Sequence, residues 1–226
     1  MKDVTLITVA TPGVYRQYAD QLRDDAILRF NPTGKPIQYL ILPGVEGPWP
    51  TATITRPQVM LEHWHRVEGD YVFCIDADMR IERLVGGEVL GELVATEHPG
   101  YVGRHCTTVP YERNEISKCF VPMGQGDRYF AGGFYGGERD AVLDLIDAMS
   151  WRIETDLERI GRIRWNDESA LNASLLETPP TVTLSPAYCH PDRDESYREW
   201  WPEDYPRVIV ALDKDNETRG DRGDQQ

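Results

Sequence analysis

The sequence predicts an α/β domain built on a mainly parallel sheet. Three observations carry that expectation. Short β-branched or aliphatic runs recur at residues 4–10, 37–42 and 70–75. The first two end in turn signals, Thr11-Pro12-Gly13 and Pro43-Gly44. The stretches between the runs carry apolar residues at helical spacing. A β-α-β-α-β order lays parallel strands side by side with helices on both faces.

Taken in order, residues 4–10 form the first strand. A helix follows over 14–29, with Tyr15, Tyr18, Leu22, Ala26 and Phe30 close to helical spacing, and Asn31-Pro32-Thr33-Gly34 ends it. Residues 37–42 form the second strand. A loop rich in glycine, proline and tryptophan runs to Thr55, and a second helix spans 58–67. Residues 70–75 form a buried third strand. In such sheets ligands bind at the carboxyl ends of the strands, so chemistry is expected just after Ile75. The second half is less regular. Helices are expected at 86–96, 139–159 and 170–176, and strands at 101–103, 129–135 and 181–184. No internal repeat is visible.

A chain of 226 residues suits one domain, here residues 1–212. Residues 213–226 hold no aliphatic or aromatic side chain, with five acids against three bases, and are expected to form a flexible polar tail. The net charge is −14, a poor footprint for nucleic acid or anionic lipid. A phosphate-bearing ligand would need a metal ion or a few focused arginines. The longest aliphatic run, residues 208–212, is far too short to span a membrane. No signal peptide is visible. Cys74, Cys106, Cys119 and Cys189 form no C-x-x-C pair, and free buried thiols in a reducing cytosol are expected.

Asp76-Ala77-Asp78 directly follows the third strand. Alternate residues of an extended segment point the same way, so both carboxylates can face one point. Hard oxygen donors suit Mg²⁺ or Mn²⁺, which can bridge to diphosphate oxygens. With 20 aspartates, roughly two Asp-x-Asp pairs arise by chance, and three occur. Asp192/Asp194 and Asp213/Asp215 lack the strand context, and the plain alternative for Asp76/Asp78 is a polar strand end.

Trp165-Asn166-Asp167-Glu168-Ser169 reads as ordinary helix-start chemistry, with acids in the first turn. It also reads as a carboxylate presented to a sugar ring beside an indole wall. The run 129–137 packs four glycines among aromatics without a phosphate-loop pattern. Such glycines mark close approach by a ligand or another backbone, or a bent strand. His63 and His65 are expected to be surface residues. Arg152, Arg159, Arg162 and Arg164, interleaved with acids, are expected on a solvated helix face. Tyr197, Trp200, Trp201 and Tyr205 either line a cleft or anchor the last segment.

In this order and spacing the segments resemble glycosyltransferase family 6, which includes the histo-blood-group A and B transferases, the α-1,3-galactosyltransferase and soluble bacterial relatives. The resemblance is carried by residues 70–79 (DYVFCIDADM), 97–103 (EHPGYVG), Tyr111-Glu112-Arg113, 126–137 (GDRYFAGGFYGG), 165–172 (WNDESALN) and Leu184-Ser185-Pro186-Ala187-Tyr188. It covers roughly residues 5–188, and several blocks in order are far more specific than any one of them.

The resemblance implies a GT-A fold, a Rossmann-like mixed sheet flanked by helices. It also implies retaining transfer of N-acetylgalactosamine or galactose from a UDP-sugar to a galactoside or oligosaccharide in α-1,3 linkage. By the same likeness, Asp76 and Asp78 hold Mn²⁺, with Mg²⁺ as a substitute. Arg56 and Asp167 grip the donor sugar, and Glu168 stands on the β face of the reacting centre. His98 and Trp165 touch the acceptor, and Tyr15 stacks near uracil. Ala131, Gly132 and Gly133 line the sugar pocket. Room at Gly133 favours N-acetylgalactosamine over galactose. Lys214 and Arg219, with Arg222 as an alternative, close over the diphosphate. Asn166 departs from the animal enzymes, which carry histidine there, and their membrane anchor and stem have no counterpart here. Both aspartates are kept, unlike in some metal-free bacterial relatives.

Three competing readings stand beside this one: a GT-A transferase with another UDP-sugar donor, a non-catalytic sugar-binding module, and a metal-dependent phosphohydrolase. The last wants more metal ligands than the sequence places near Asp76.

Overall fold

Three parallel strands form the first half of the sheet in a computed structural model that describes residues 3–193 and 201–213. Strand β1 (Val4–Ala10) lies between β2 (Gln38–Pro43) and β3 (Tyr71–Ile75), parallel to both. Helix α1 (Val14–Arg29) links β1 to β2, and α2 (Thr51–Ile54) and α3 (Arg56–Glu62) link β2 to β3. The chain leaves β1 on one side and returns on the other. This creates a topological switch point at the carboxyl ends of β1 and β3, where α/β sheets bind ligands.

Beyond β3 the sheet turns mixed. Strand β4 (Met79–Ile81) leaves it for a small second sheet. Strand β5 (Leu93–Glu97) and β6 (Phe130–Glu138) follow, then α4 (Arg139–Ile160), α5 (Asn166–Glu177) and β7 (Val182–Leu184). The six-stranded order is β2-β1-β3-β6-β5-β7, with β6 antiparallel to both β3 and β5. The short strands β8 (His190–Pro191) and β9 (Ile209–Ala211) complete the second sheet, in the order β4-β9-β8. The mainly parallel expectation is thus corrected to a mixed sheet flanked by helices, in agreement with the GT-A-like fold that the family resemblance implies.

The residue pattern explains the layers. Along β3, Val72 and Cys74 face one core with α3, α4 and α5, while Phe73 and Ile75 face the other with α1 and β4. Two local expectations fail. Residues 86–96 hold a single 3₁₀ turn (Gly87–Val89) and then β5, not a helix, because the sheet buries Leu93 to Thr96 between β6 and β7. Residues 101–103 form turns, not a strand, with the N–H groups of Tyr101 and Val102 bonded to the His98 carbonyl. Helix α5 also begins four residues earlier than its apolar pattern indicates.

The glycines of β6 split into two pairs. Gly136 lies where a Cβ would strike Phe73 and the Val72 carbonyl, and Gly137 (φ 143°) approaches the Glu92 carbonyl. This pair answers the close-backbone reading. Gly136→Ala is expected to cost about 2–3 kcal/mol through forced strand separation, measured by urea unfolding. A loss below about 0.5 kcal/mol would show that the sheet relaxes around the methyl.

The other features hold the layers together. Arg152 is buried, not solvated. It donates to Ser174 Oγ at 3.1 Å, to the Lys118 carbonyl and to Glu177, which ties the long 98–129 connection and α5 to α4. His63 and His65 stack at 6.4 Å, because the chain tightens to a 3₁₀ turn between them. Trp201 donates its indole N–H to the Pro99 carbonyl at 2.9 Å and packs on Tyr205, which supports the anchoring role; Tyr197 and Trp200 lie outside the described residues. All four cysteines are free, and burial pushes the thiols of Cys74, Cys119 and Cys189 up to about 12. Among the described residues no helix is long and apolar enough to cross a membrane.

Candidate active site

The switch point opens into a cavity of about 510 Å³. Val9 and Thr11 come from the end of β1. Residues between Gly44 and Thr53 come from the loop after β2 and from α2. Asp76, Ala77 and Asp78 come from the tip of β3, Gly132 and Gly133 from β6, and residues 165–168 from the start of α5.

Each wall has a local cause. The apolar run of β3 ends at Ile75, and the next three residues turn out of the sheet. The Asp76 N–H bonds to the Gly133 carbonyl at 3.0 Å, and the Asp78 carbonyl accepts the Leu212 N–H at 2.9 Å. Both carboxylates line the cavity, and Asp78 is only 8% exposed. At the start of α5 the Trp165 N–H bonds to Ser169 Oγ at 3.1 Å. Asn166 takes a positive φ of 54°, which asparagine tolerates better than most residues. That bend delivers Asp167 and Glu168 into the first turn, where the helix dipole favours negative charge. The helix-start and sugar-facing readings of this segment are therefore compatible.

Arg56 ties the two acidic walls together. It donates from Nε and Nη2 to Asp167 Oδ2, at 2.8 and 2.5 Å, and its Nη1 pairs with Asp76 Oδ1. Burial disfavours its charge, but the carboxylates of Asp167 and Asp78 outweigh that and hold the guanidinium protonated. Burial pushes the Asp167 carboxyl up, while Arg56 pulls it back. Glu168 accepts the Gly132 N–H on Oε2 at 3.1 Å. Asn172 clasps the same strand, with Oδ1 taking the Phe130 N–H and Nδ2 giving to the Phe130 carbonyl, each at 2.8 Å. The Glu168–β6 geometry is thus fixed at three points.

The cavity is strongly anionic. Among its described lining residues Arg56 is the one guanidinium against five carboxylates: Glu46, Asp76, Asp78, Asp167 and Glu168. No group of three or more acidic, histidine or cysteine side chains is arranged as a complete metal cage among the described residues. A pair of hard oxygen donors that shares its coordination with diphosphate oxygens needs no third carboxylate.

Of the sequence-predicted residues, the structure brings together Tyr15, Arg56, Asp76, Asp78, Gly132, Gly133, Trp165, Asp167 and Glu168. Two expected residues do not line the cavity. Ala131 is buried in the core on the far face of β6. His98 sits behind the site, its ring tilted against Tyr101 at 4.7 Å, with Nδ1 accepting the Gly100 N–H at 3.0 Å. Burial lowers the pKa of His98 despite the nearby Glu168 charge, so the ring is neutral. Lys214 and Arg219 lie outside the described residues. Gly133 also points away: a Cβ there would run into the Met79 methyl and meet Cys189 Sγ at 3.2 Å. A Cβ on Gly132 would instead face Arg56 Nη2 at 3.5 Å and Glu168 Oε2 at 3.8 Å. Gly132, not Gly133, is therefore the glycine of this pair that faces the cavity. The loop residues Glu46, Trp49 and Thr53 were missed; their signal was the glycine, proline and tryptophan content directly after a parallel strand.

Comparison with known proteins agrees with this geometry. Over 149 residues, 64% of this chain and 43% of the relative, the chain is 35% identical to globoside alpha-1,3-N-acetylgalactosaminyltransferase 1 of Gallus gallus. Over the same length and shares it is 34% identical to the Homo sapiens protein of that name. It is 40% identical to histo-blood group ABO system transferase 1 of Rattus norvegicus over 121 residues, 54% of this chain and 35% of the relative. The aligned part is thus less than half of each relative's length. Residues 43–217 match the profile of glycosyltransferase family 6, a span that takes in the acid pair, the glycine-bearing strand and the start of α5. The chain belongs to glycosyltransferase family 6.

Proposed function

We propose that the protein is a metal-dependent, retaining hexosyltransferase. It moves N-acetylgalactosamine, or galactose, from a UDP-sugar to a galactoside or oligosaccharide in α-1,3 linkage. One observation carries the reading: a single cavity at the switch point unites a strand-tip acid pair, a buried arginine–aspartate pair and a separate carboxylate, Glu168. The names of the relatives, alpha-1,3-N-acetylgalactosaminyltransferases, support the sugar and the linkage. With Met79 filling the space at Gly133, the preference for N-acetylgalactosamine rests on those names alone.

Asp76 and Asp78 are the residues that would hold Mn²⁺, with Mg²⁺ as a substitute. Bound there, the ion supplies Lewis-acid stabilisation of the departing diphosphate. Five carboxylates against one guanidinium would otherwise repel a diphosphate, so the lining favours a bound divalent cation. Arg56 and Asp167 form a rigid donor–acceptor pair suited to sugar hydroxyls. The half-exposed Trp165 offers an apolar wall for a ring's C–H face. Glu168 faces the anomeric carbon. In one route its oxygen bonds that carbon as the sugar–phosphate bond breaks, and the acceptor oxygen then displaces the carboxylate while its proton passes to the departed phosphate. In the other Glu168 stabilises an oxocarbenium-like centre, and the leaving phosphate takes the acceptor's proton. Both keep the anomeric configuration.

A donor-by-acceptor screen, with and without Mn²⁺, tests the reading. Hydrolysis or transfer from UDP-N-acetylgalactosamine or UDP-galactose is expected. Turnover of UDP-glucose alone would place the chain with another donor, and no turnover of any nucleotide sugar would favour a binding module. Asp78→Asn should weaken Mn²⁺-dependent UDP binding at least about tenfold, since it removes one of two anionic ligands. Calorimetry reads this directly, and equal affinities for the two proteins would remove Asp78 from the metal site.

A further inference from the structure

Tyr129 immediately precedes β6 and is among the largest fully buried side chains, 1% exposed. Tyr101, Tyr111 and His98 hold its ring edge-on, at centroid separations of 5.1, 5.3 and 5.9 Å. Its carbonyl accepts the His98 N–H at 2.8 Å. A ring locked on three sides has little freedom in where it puts its hydroxyl. That hydroxyl is buried and has no hydrogen-bond partner among the described residues. Buried phenols are normally paired, so an orphan beside a candidate site calls for an explanation.

The carboxylate nearest this stretch of chain is Glu168: its Oε2 takes the Gly132 N–H three residues on, and Asn172, one turn further along α5, clasps Phe130 next to Tyr129. Burial first, and then the charge and accepting oxygens of Glu168, push the Tyr129 phenol far above its ordinary range, so it stays a proton donor. No hydrogen bond joins the pair in this structure. Such contacts commonly tighten only when substrate is bound. Glu168 itself is half-held: Oε2 takes the Gly132 N–H, and no second hydrogen bond to the carboxylate is formed among the described residues. The other ionisable groups that face it are Asp167, His98 and Cys189. Asp167 is engaged by Arg56, and His98 Nδ1 by Gly100.

We propose that Tyr129 is a positioning residue for Glu168: its hydroxyl donates to the carboxylate oxygen that Gly132 does not hold, and so fixes the oxygen facing the reacting centre. Gly132 and Tyr129 then grip the carboxylate from two sides, with Asn172 clamping α5 to the same strand. The inference rests on the transferase reading above and deepens it, since a half-held carboxylate would rotate away from the anomeric carbon.

Four full-length proteins test it: wild type, Tyr129→Phe, Glu168→Gln and the double variant. Tyr129→Phe keeps the ring and its packing. It is expected to lower kcat for sugar transfer or donor hydrolysis about 10- to 100-fold, the worth of one hydrogen bond to a charged group. Donor KM and UDP affinity should stay within about twofold, because the hydroxyl touches neither. In the Glu168→Gln background the same change should have almost no further effect on kcat. A kcat within about twofold of wild type overturns the proposal. So does a loss that appears equally in KM, or one that multiplies with Glu168→Gln. If wild type turns over no nucleotide sugar, the transferase reading fails instead. The four melting temperatures then decide the contact: non-additive shifts support it and additive shifts overturn it.

Discussion

Replacing Glu168 by glutamine is expected to lower sugar transfer on the order of 10³- to 10⁴-fold while leaving UDP binding within about twofold. The substitution keeps the shape of the side chain and the acceptor that the Gly132 N–H needs. It removes the charge. In either retaining route that charge acts at the anomeric carbon, where positive character develops only in the transition state. In the proposed reading the nucleotide half of the donor would lie against the other walls, β1, the β2 loop and the acid pair, so ground-state binding would be spared. Single-turnover rates with UDP-N-acetylgalactosamine, alongside UDP calorimetry, check both halves. Near-normal turnover would take Glu168 out of the mechanism, and a parallel loss of UDP affinity would make it a binding residue.

Arg56→Ala should cost about 3–5 kcal/mol of stability as well as donor-sugar recognition, because it strands a buried carboxylate. The Asp167 side chain is 4% exposed, and among the described residues Arg56 is its ion-pair partner. Without the guanidinium, burial and the neighbouring Glu168 would raise the Asp167 pKa further above its unfolded value. A raised carboxyl pKa penalises the folded state only where the unfolded chain ionises. The loss is therefore largest near neutral pH and shrinks as pH falls towards the ordinary carboxylate range, about 4. Arg56→Ala with Asp167→Asn should recover part of the stability, since it removes the stranded charge, but no transfer. Urea unfolding at pH 7 and pH 4.5 reads the effect. A loss under about 1 kcal/mol at both would mean that water enters and solvates Asp167 in place of the arginine. Arg56→Lys is not a mild control, because a lysine cannot span Asp76 and Asp167 with one planar fork.

The two experiments draw on different kinds of information. The Asp76/Asp78 pair could be singled out because it follows a five-residue apolar strand in an alternating half-sheet, where periodicity and topology leave little choice of position. The start of α5 was visible as a block of residue types, yet taken alone it reads more readily as ordinary helix-start chemistry. What the structure adds is Arg56, 111 residues earlier in the chain, which binds Asp167, and no local pattern connects the two. Segment 86–96 shows the same limit in the fold. Its Glu, Leu and Ala residues allow a helix, but two flanking strands recruit the segment, and burial between them outweighs any small local preference. Arg152 reads as one of several solvated arginines until α4, α5 and the Lys118 carbonyl close around it.

By itself the sequence determined the α/β class, the first three strands and α1, the acid pair at a strand tip, and, through ordered blocks of residues, a family resemblance. These are properties of short range: side-chain period, turn chemistry and residue order along the chain. Only the tertiary structure decided which glycine faces the cavity, that Met79 fills the space at Gly133, that Ala131 and His98 stand off the lining, and that the Tyr129 hydroxyl is buried without a partner among the described residues. The reason is that a strand's two faces differ by one residue of register. Which face meets the ligand is set by elements that pack on it from far along the chain, and those contacts leave no mark in local periodicity.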